Sequence, residues 1–226
     1  SAGRLSGFVA VRFRICGRIR HMTASSEPSD AAKKSSGMAE SATWLRGHFL
    51  VAMPGMSDPR FAHSLIYLCE HSGDGAMGIV INHPLEVKVA DLLQQLQIEY
   101  NTSSPAATAH VCAGGPVQHD RGFVLHTAKA GYGSSMTLSD ELMVTTSKDI
   151  LFDLTTARAP EKFILALGYA GWTAGQLEQE IADNSWLVIP ADNGIIFDLS
   201  HAEKWQSATA KMGIKPWQLT NEAGHA

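Results

Sequence analysis

From position 44 onward, apolar residues recur in two rhythms. Short runs over 47–53, 64–70, 77–82, 110–113, 122–127, 143–145, 162–167 and 186–189 have the length of strands and are bounded by turn-forming residues. Leu65, Tyr67 and Cys69 would point to one face and Ile66 and Leu68 to the other, so the sheet should be covered on both sides. A helical rhythm predicts helices over 89–98, 147–156, 174–183 and 201–212. In the first, Val89, Leu92, Leu93 and Leu96 make one apolar stripe; in the second, Ser147 stands as N-cap ahead of Ile150, Leu151 and Leu154. Strands and helices do not alternate with a regular βαβ period, which predicts one α+β domain over 44–226.

Residues 1–43 break this pattern. A basic apolar piece, Phe8-Val9-Ala10-Val11-Arg12-Phe13-Arg14-Ile15, is followed by a Ser/Ala/Lys/Glu stretch, and the whole reads as a disordered or non-native basic extension. Charge divides at the same place. Up to Gly37 there are seven Lys or Arg and two acids, a net of +5, whereas the remainder holds 11 basic and 20 acidic residues, a net of −9. An acidic body repels phosphate backbones, so direct nucleic-acid binding is not expected of it. The longest apolar runs, such as Phe163-Ile164-Leu165-Ala166-Leu167, fall far short of the roughly 20 residues that cross a bilayer, and no membrane partner is expected. Three cysteines, Cys16, Cys69 and Cys112, make no disulfide framework and fit a reducing cytoplasm.

Three segments are unusually dense in residues that shape the backbone. They are Met53-Pro54-Gly55-Met56-Ser57-Asp58-Pro59-Arg60-Phe61 running on to Asn82-His83-Pro84, then Gly114-Gly115-Pro116-Val117, then Gly168-Tyr169-Ala170-Gly171-Trp172. The last is expected to turn between a buried strand and a helix beginning near Ala174. In this order, and together with Ser64-Leu65-Ile66-Tyr67-Leu68-Cys69-Glu70-His71, Arg121-Gly122-Phe123-Val124-Leu125-His126 and Gln176-Leu177-Glu178-Gln179-Glu180, the chain resembles the YqgE/AlgH family of bacterial proteins over 45–217. Two positions depart from the family pattern: Ser72 stands where Asn usually follows Glu-His, and His83 stands where Arg or Lys usually precedes the proline, removing a cation from that turn. The resemblance implies a bifurcated mixed β-sheet curled into a pseudo-barrel flanked by helices. The family carries a transcriptional-regulator label, but the chain has no helix-turn-helix, zinc finger or other DNA-reading motif.

The residues themselves suggest a polar cleft. Asp58, Ser64, Glu70, His71 and Asn82, with Gly114, Gly115, Trp172, Gln176 and Glu180 from the later segments, would hydrogen-bond a small molecule or a protein segment. Against this, Asp58 and Asn82 can simply cap turns, Gly114-Gly115-Pro116 can be a tight bend, and Trp172 can be core packing. Cys69 and His71 lie two apart on a predicted strand, as do His110 and Cys112. Alternation puts each pair on one face, which allows a Cys69 thiol activated by His71, or four zinc ligands. The Gly-Gly-Pro turn lacks the Lys-Ser/Thr ending of a phosphate loop, and there is no Gly-x-Ser-x-Gly or His-Glu-x-x-His, so no metal or cofactor is expected. The reading that follows is a non-enzymatic cytosolic binding module touching gene expression indirectly. A Cys/His redox sensor or enzyme and a direct DNA-binding regulator are its alternatives.

Overall fold

The computed structural model describes residues 45–213; the predicted extension over 1–43 lies outside them. Within the described residues the elements run β1 (His48–Ala52), β2 (Leu65–Ser72), β3 (Gly75–Val80), β4 (Pro84–Lys88), α1 (Val89–Gln95), β5 (His110–Ala113), β6 (Val117–Thr127), β7 (Ser135–Ser139), β8 (Leu142–Thr145), β9 (Phe163–Thr173), α2 (Gln176–Ala182), β10 (Trp186–Pro190), α3 (Asn193–Phe197) and α4 (His201–Ala210). The strands form a sheet of order β10-β1-β2-β3-β9-β6-β8-β7, with β5 joined to β9 and β4 to β5. Every pairing is antiparallel except β5 with β9, so the sheet is mixed.

The sheet forks along β9. On one side of β9, Ala166 and Leu167 pair with β5 while residues 170–173 pair with β3; on the other, β6 follows it from Phe163 to Tyr169. Gly168 sits at the fork with φ 75°, in the left-handed region that favours glycine. The chain leaving β5 crosses β9 here so closely that a Cβ on Gly115 would lie 2.1 Å from the Tyr169 carbonyl carbon. Gly168-Tyr169-Ala170-Gly171-Trp172 is therefore strand rather than turn. Its glycines serve the fork, and β9 runs on to Thr173.

Alternation along the strands separates three cores. Phe49, Tyr67, Ile79, Phe123, Leu125 and Ile164 line the inside of the curl with Trp205 of α4. On the outside, Val111, Val124 and Leu165 meet α1 and Ile150-Leu151, while Leu50, Ile66, Leu68 and Trp172 meet Leu177 of α2. The sheet is thus covered on both faces, as the sequence predicts. The helix expected over 147–156 is a short 3-10 helix, Lys148–Phe152, and Ser147 precedes it without capping it, its hydroxyl bonding Gly133 O and the Asp149 carboxylate. Strands β4 and β7 and helix α3 lie outside the segments that the apolar pattern predicts.

Candidate functional site

The most unusual local arrangement lies where β2 begins and β3 ends. Leu65 and Ile81 face each other there, and Ile81 N–H donates to Leu65 O (3.0 Å), which in an antiparallel ladder calls for the reverse bond from Leu65 N–H to Ile81 O. Asn82 replaces it: its Oδ1 accepts from Leu65 N–H at 2.8 Å, and its Nδ2 donates to His63 O at 2.8 Å. The Ile81 carbonyl is thereby released from the sheet.

Three side chains converge on that released oxygen. Lys204 Nζ lies 3.3 Å away, His201 Nδ1 3.4 Å, and Cys112 Sγ 3.9 Å; His201 Nδ1 is also 3.8 Å from Cys112 Sγ. Helix α4 brings two of them. Ser200 and Glu203 close a capping box at its start, and Trp205 anchors it by donating from Nε1 to Ala52 O at 3.0 Å. Lys204 is carried inside with Trp205 and is 2 % exposed. Burial pushes its amine down from 10.5 to about 8 and pushes the Cys112 thiol up to about 11, Lys204 pulling the thiol back in part. Burial likewise lowers His201, with the Lys204 charge adding to it.

Beside this cluster stand His63, Ser64 and His83. His63 is exposed, holds φ 54°, and sets its ring edge-on to Trp205 at 4.8 Å between centroids. Ser64 is fully buried, with Oγ 3.4 Å from His83 Nε2. His83 is held below the ordinary imidazole value, chiefly by burial. A left-handed, non-glycine residue is strained, and here the Asn82 bond to its carbonyl and the Trp205 contact hold it in place.

Of the residues singled out in the sequence, Ser64 and Asn82 belong to this site. Asp58 caps the Pro59–Phe61 turn through Arg60 N–H (3.0 Å) and pairs with the Arg60 side chain at 2.6 Å; that hydrogen bond holds its carboxyl below the usual range. His71 lies at the other end of β2, seven residues or roughly 23 Å from Ser64 at about 3.3 Å per residue, whereas Trp172, Gln176 and Glu180 gather beneath α2 on the outer face of the sheet. There Glu180 Oε2 accepts from Trp172 Nε1 and Trp186 Nε1, both at 2.8 Å, and Oε1 accepts from Gln176 Nε2 at 2.9 Å. His71 Nε2 sits 2.7 Å from Glu178 Oε1 and Nδ1 accepts from Leu45 N–H, so these groups fasten α2 to the sheet. Glu70 is exposed beside them. Gly114 and Gly115 make the crossing over β9, Gly114 N–H donating to Leu167 O at 2.7 Å. One shared cleft for all ten residues does not form.

The Cys69–His71 pair also fails, for a reason of register. A β-bulge between Leu68 and Glu70 breaks the alternation. Cys69 is fully buried with Phe49 and Tyr67 inside the curl, while His71 reaches α2 on the outer face. Burial pushes the Cys69 thiol up to about 12, which leaves no thiolate for nucleophilic work. The four-ligand reading with His110 and Cys112 is not assembled either: among the described residues no group of three or more His, Cys, Asp or Glu side chains could hold a metal ion. Sequence reasoning missed Lys204, His201 and His63. The available signal was Lys204 four residues before Ala208, on the stripe that buries α4.

Comparison with known proteins places this geometry in a family. An AlgH-like family model matches residues 49–217. The chain belongs to the AlgH-like family. A UPF0301 protein of Pseudoalteromonas translucida is 54% identical over 182 residues, covering 80% of this chain and 98% of its own length. A UPF0301 protein of Photobacterium profundum is 53% identical over 185 residues, covering 80% of this chain and 99% of its own. The solution structure of the AlgH protein from Pseudomonas aeruginosa superposes with a TM-score of 0.67 at 46% identity, covering 86% of this chain and all of that one. A Corynebacterium diphtheriae protein, DIP2367, shares the fold alone, with a TM-score of 0.59 at 21% identity, covering 76% of this chain and 89% of that one. Membership in the AlgH-like family fixes the architecture and leaves the chemistry to the site. Among the described residues no helix is long and apolar enough to cross a membrane.

Proposed function

We propose that this protein is a cytoplasmic, non-enzymatic binding module, which receives a small molecule or a protein segment where the loop before β2 meets α4, and that any influence on gene expression is indirect. The observation that supports it best is Asn82. Its side chain gives up a ladder bond of the sheet in order to hold a strained, exposed His63 over Trp205 and to leave Ile81 O facing Lys204, a local cost that folding alone does not require. The net charge of −9 beyond Gly37 argues against direct grip on a nucleic-acid backbone.

Native mass spectrometry of the full chain purified under mild conditions tests this, with ¹H–¹⁵N spectra recorded during titration with a cell extract. Expected is a retained molecule or segment, or extract-induced shifts at His63 and His83, absent in Asn82→Ala. A bare chain whose His63 and His83 resonances ignore the extract would contradict the proposal.

A further inference from the structure

The ammonium of Lys204 has three N–H donors. Among the described residues a single acceptor, Ile81 O at 3.3 Å, takes one of them, and that oxygen is shared with His201 and Cys112. In the tautomer that carries its proton on His201 Nδ1, three donor groups share a carbonyl that has two lone pairs, and every one of these contacts is long. The cluster is rich in donors and poor in acceptors.

Its charge is equally lopsided. Among the described residues the ionisable groups that act here are Cys112 on Lys204, and Lys204 and His110 on His201, with no carboxylate among them. Glu203, the nearest acid in sequence, points outward and is spent on the backbone and hydroxyl of Ser200. With His201 and Cys112 neutral, the site carries one positive charge. Buried charges are ordinarily paired, and the partner that balances this one is a monoanion with two acceptor oxygens.

We propose that Lys204, His201 and Cys112 form the receptor for a compact monocarboxylate, one oxygen bound by the ammonium and the other by the imidazole and thiol in place of Ile81 O. The half-exposed His201 and the exposed His110 mark the way in from solvent. This rests on the binding-module reading and names its ligand class. The carboxylate can come from a free acid or from the end of a protein segment, and burial of Lys204 favours the smaller source.

Acetate titrated into the full chain at pH 7, in buffer free of other carboxylates, tests the assignment by ¹H–¹⁵N spectra. Expected are saturable shifts at Ile81, Cys112, His201 and Lys204 with a Kd below about 10 mM, abolished in Lys204→Met, whose dispersed spectrum shows that it folds. Parallel arms with acetyl-Gly-Gly and its amide identify the source: saturation by the free acid but not the amide points to a chain end, saturation by acetate alone to a free acid. No saturation by acetate or the free-acid peptide, or tighter saturation by phosphate, would overturn the carboxylate receptor. An extract that shifts His63 and His83 while acetate leaves Lys204 untouched overturns it too, and leaves the binding module standing.

Discussion

Replacing Lys204 by Met should stabilise the protein. The side chain is 2 % exposed and its amine is lowered from 10.5 to about 8 by burial; at about 1.4 kcal/mol per tenfold change, holding it charged in the fold at pH 7 costs about 3 kcal/mol. Met fills similar space without that cost. Ile81 O loses its nearest donor, worth about 1 kcal/mol, which leaves a net gain of about 2 kcal/mol. The sign with pH follows from proton binding. Between pH 8 and 10.5 the unfolded chain keeps a proton on Lys204 that the native state has released, so wild-type stability gains on the variant as pH rises through this window, whereas below pH 8 the penalty is constant. Urea unfolding of both proteins at pH 7, 8.5 and 10, in buffer without carboxylates, should show the Lys204→Met advantage largest at pH 7 and shrinking upward. A variant less stable than wild type at pH 7 would refute the reasoning because the ammonium would then be no net burden in the fold, and an advantage that does not change with pH would refute it because the amine would then not be lowered by burial.

Glu180→Ala leaves the indole N–H groups of Trp172 and Trp186 without their acceptor, and should cost about 3 kcal/mol in urea unfolding followed by tryptophan fluorescence, with Glu180→Gln retaining most of it. Gly115→Ala forces a Cβ to 2.1 Å from the Tyr169 backbone; a loss above about 4 kcal/mol or failure to fold is expected, and a normal thermal midpoint would refute the crossing. In a Cys16→Ser background, neither Cys69 nor Cys112 should react with a thiol reagent at pH 8 until the protein unfolds, and His71→Ala should change nothing, since burial raises both thiols. Rapid native labelling of Cys69 that depends on His71 would reinstate the redox reading.

The strands that alternate or run apolar were legible because burial on two faces writes itself into their residues. β4 and β7 were not, since Pro84-Leu85-Glu86-Val87-Lys88 and Ser135-Met136-Thr137-Leu138-Ser139 lie at the margin of the sheet and keep mostly polar or exposed positions. The second half of β9 was misread for a specific reason: glycines that in most chains mark a turn mark here the place where the sheet forks and another segment crosses. Ser64 and Asn82 were identifiable as polar residues beside a strand. That Asn82 would displace a ladder bond depends on the pairing of Leu65 with Ile81, which no local pattern encodes. Lys204 looked like any helix-surface lysine, because its burial follows from how α4 docks at Ala52, far away in sequence.

The most direct measurement is the ionisation of Lys204 itself, followed by NMR of its side-chain nitrogen or ε-carbon in the otherwise intact chain. A midpoint near 8 that climbs when acetate is added is the result this account predicts. A midpoint at or above 10.5 without any added anion would mean that the ammonium already has its partner, and would contradict the carboxylate receptor at Lys204, His201 and Cys112.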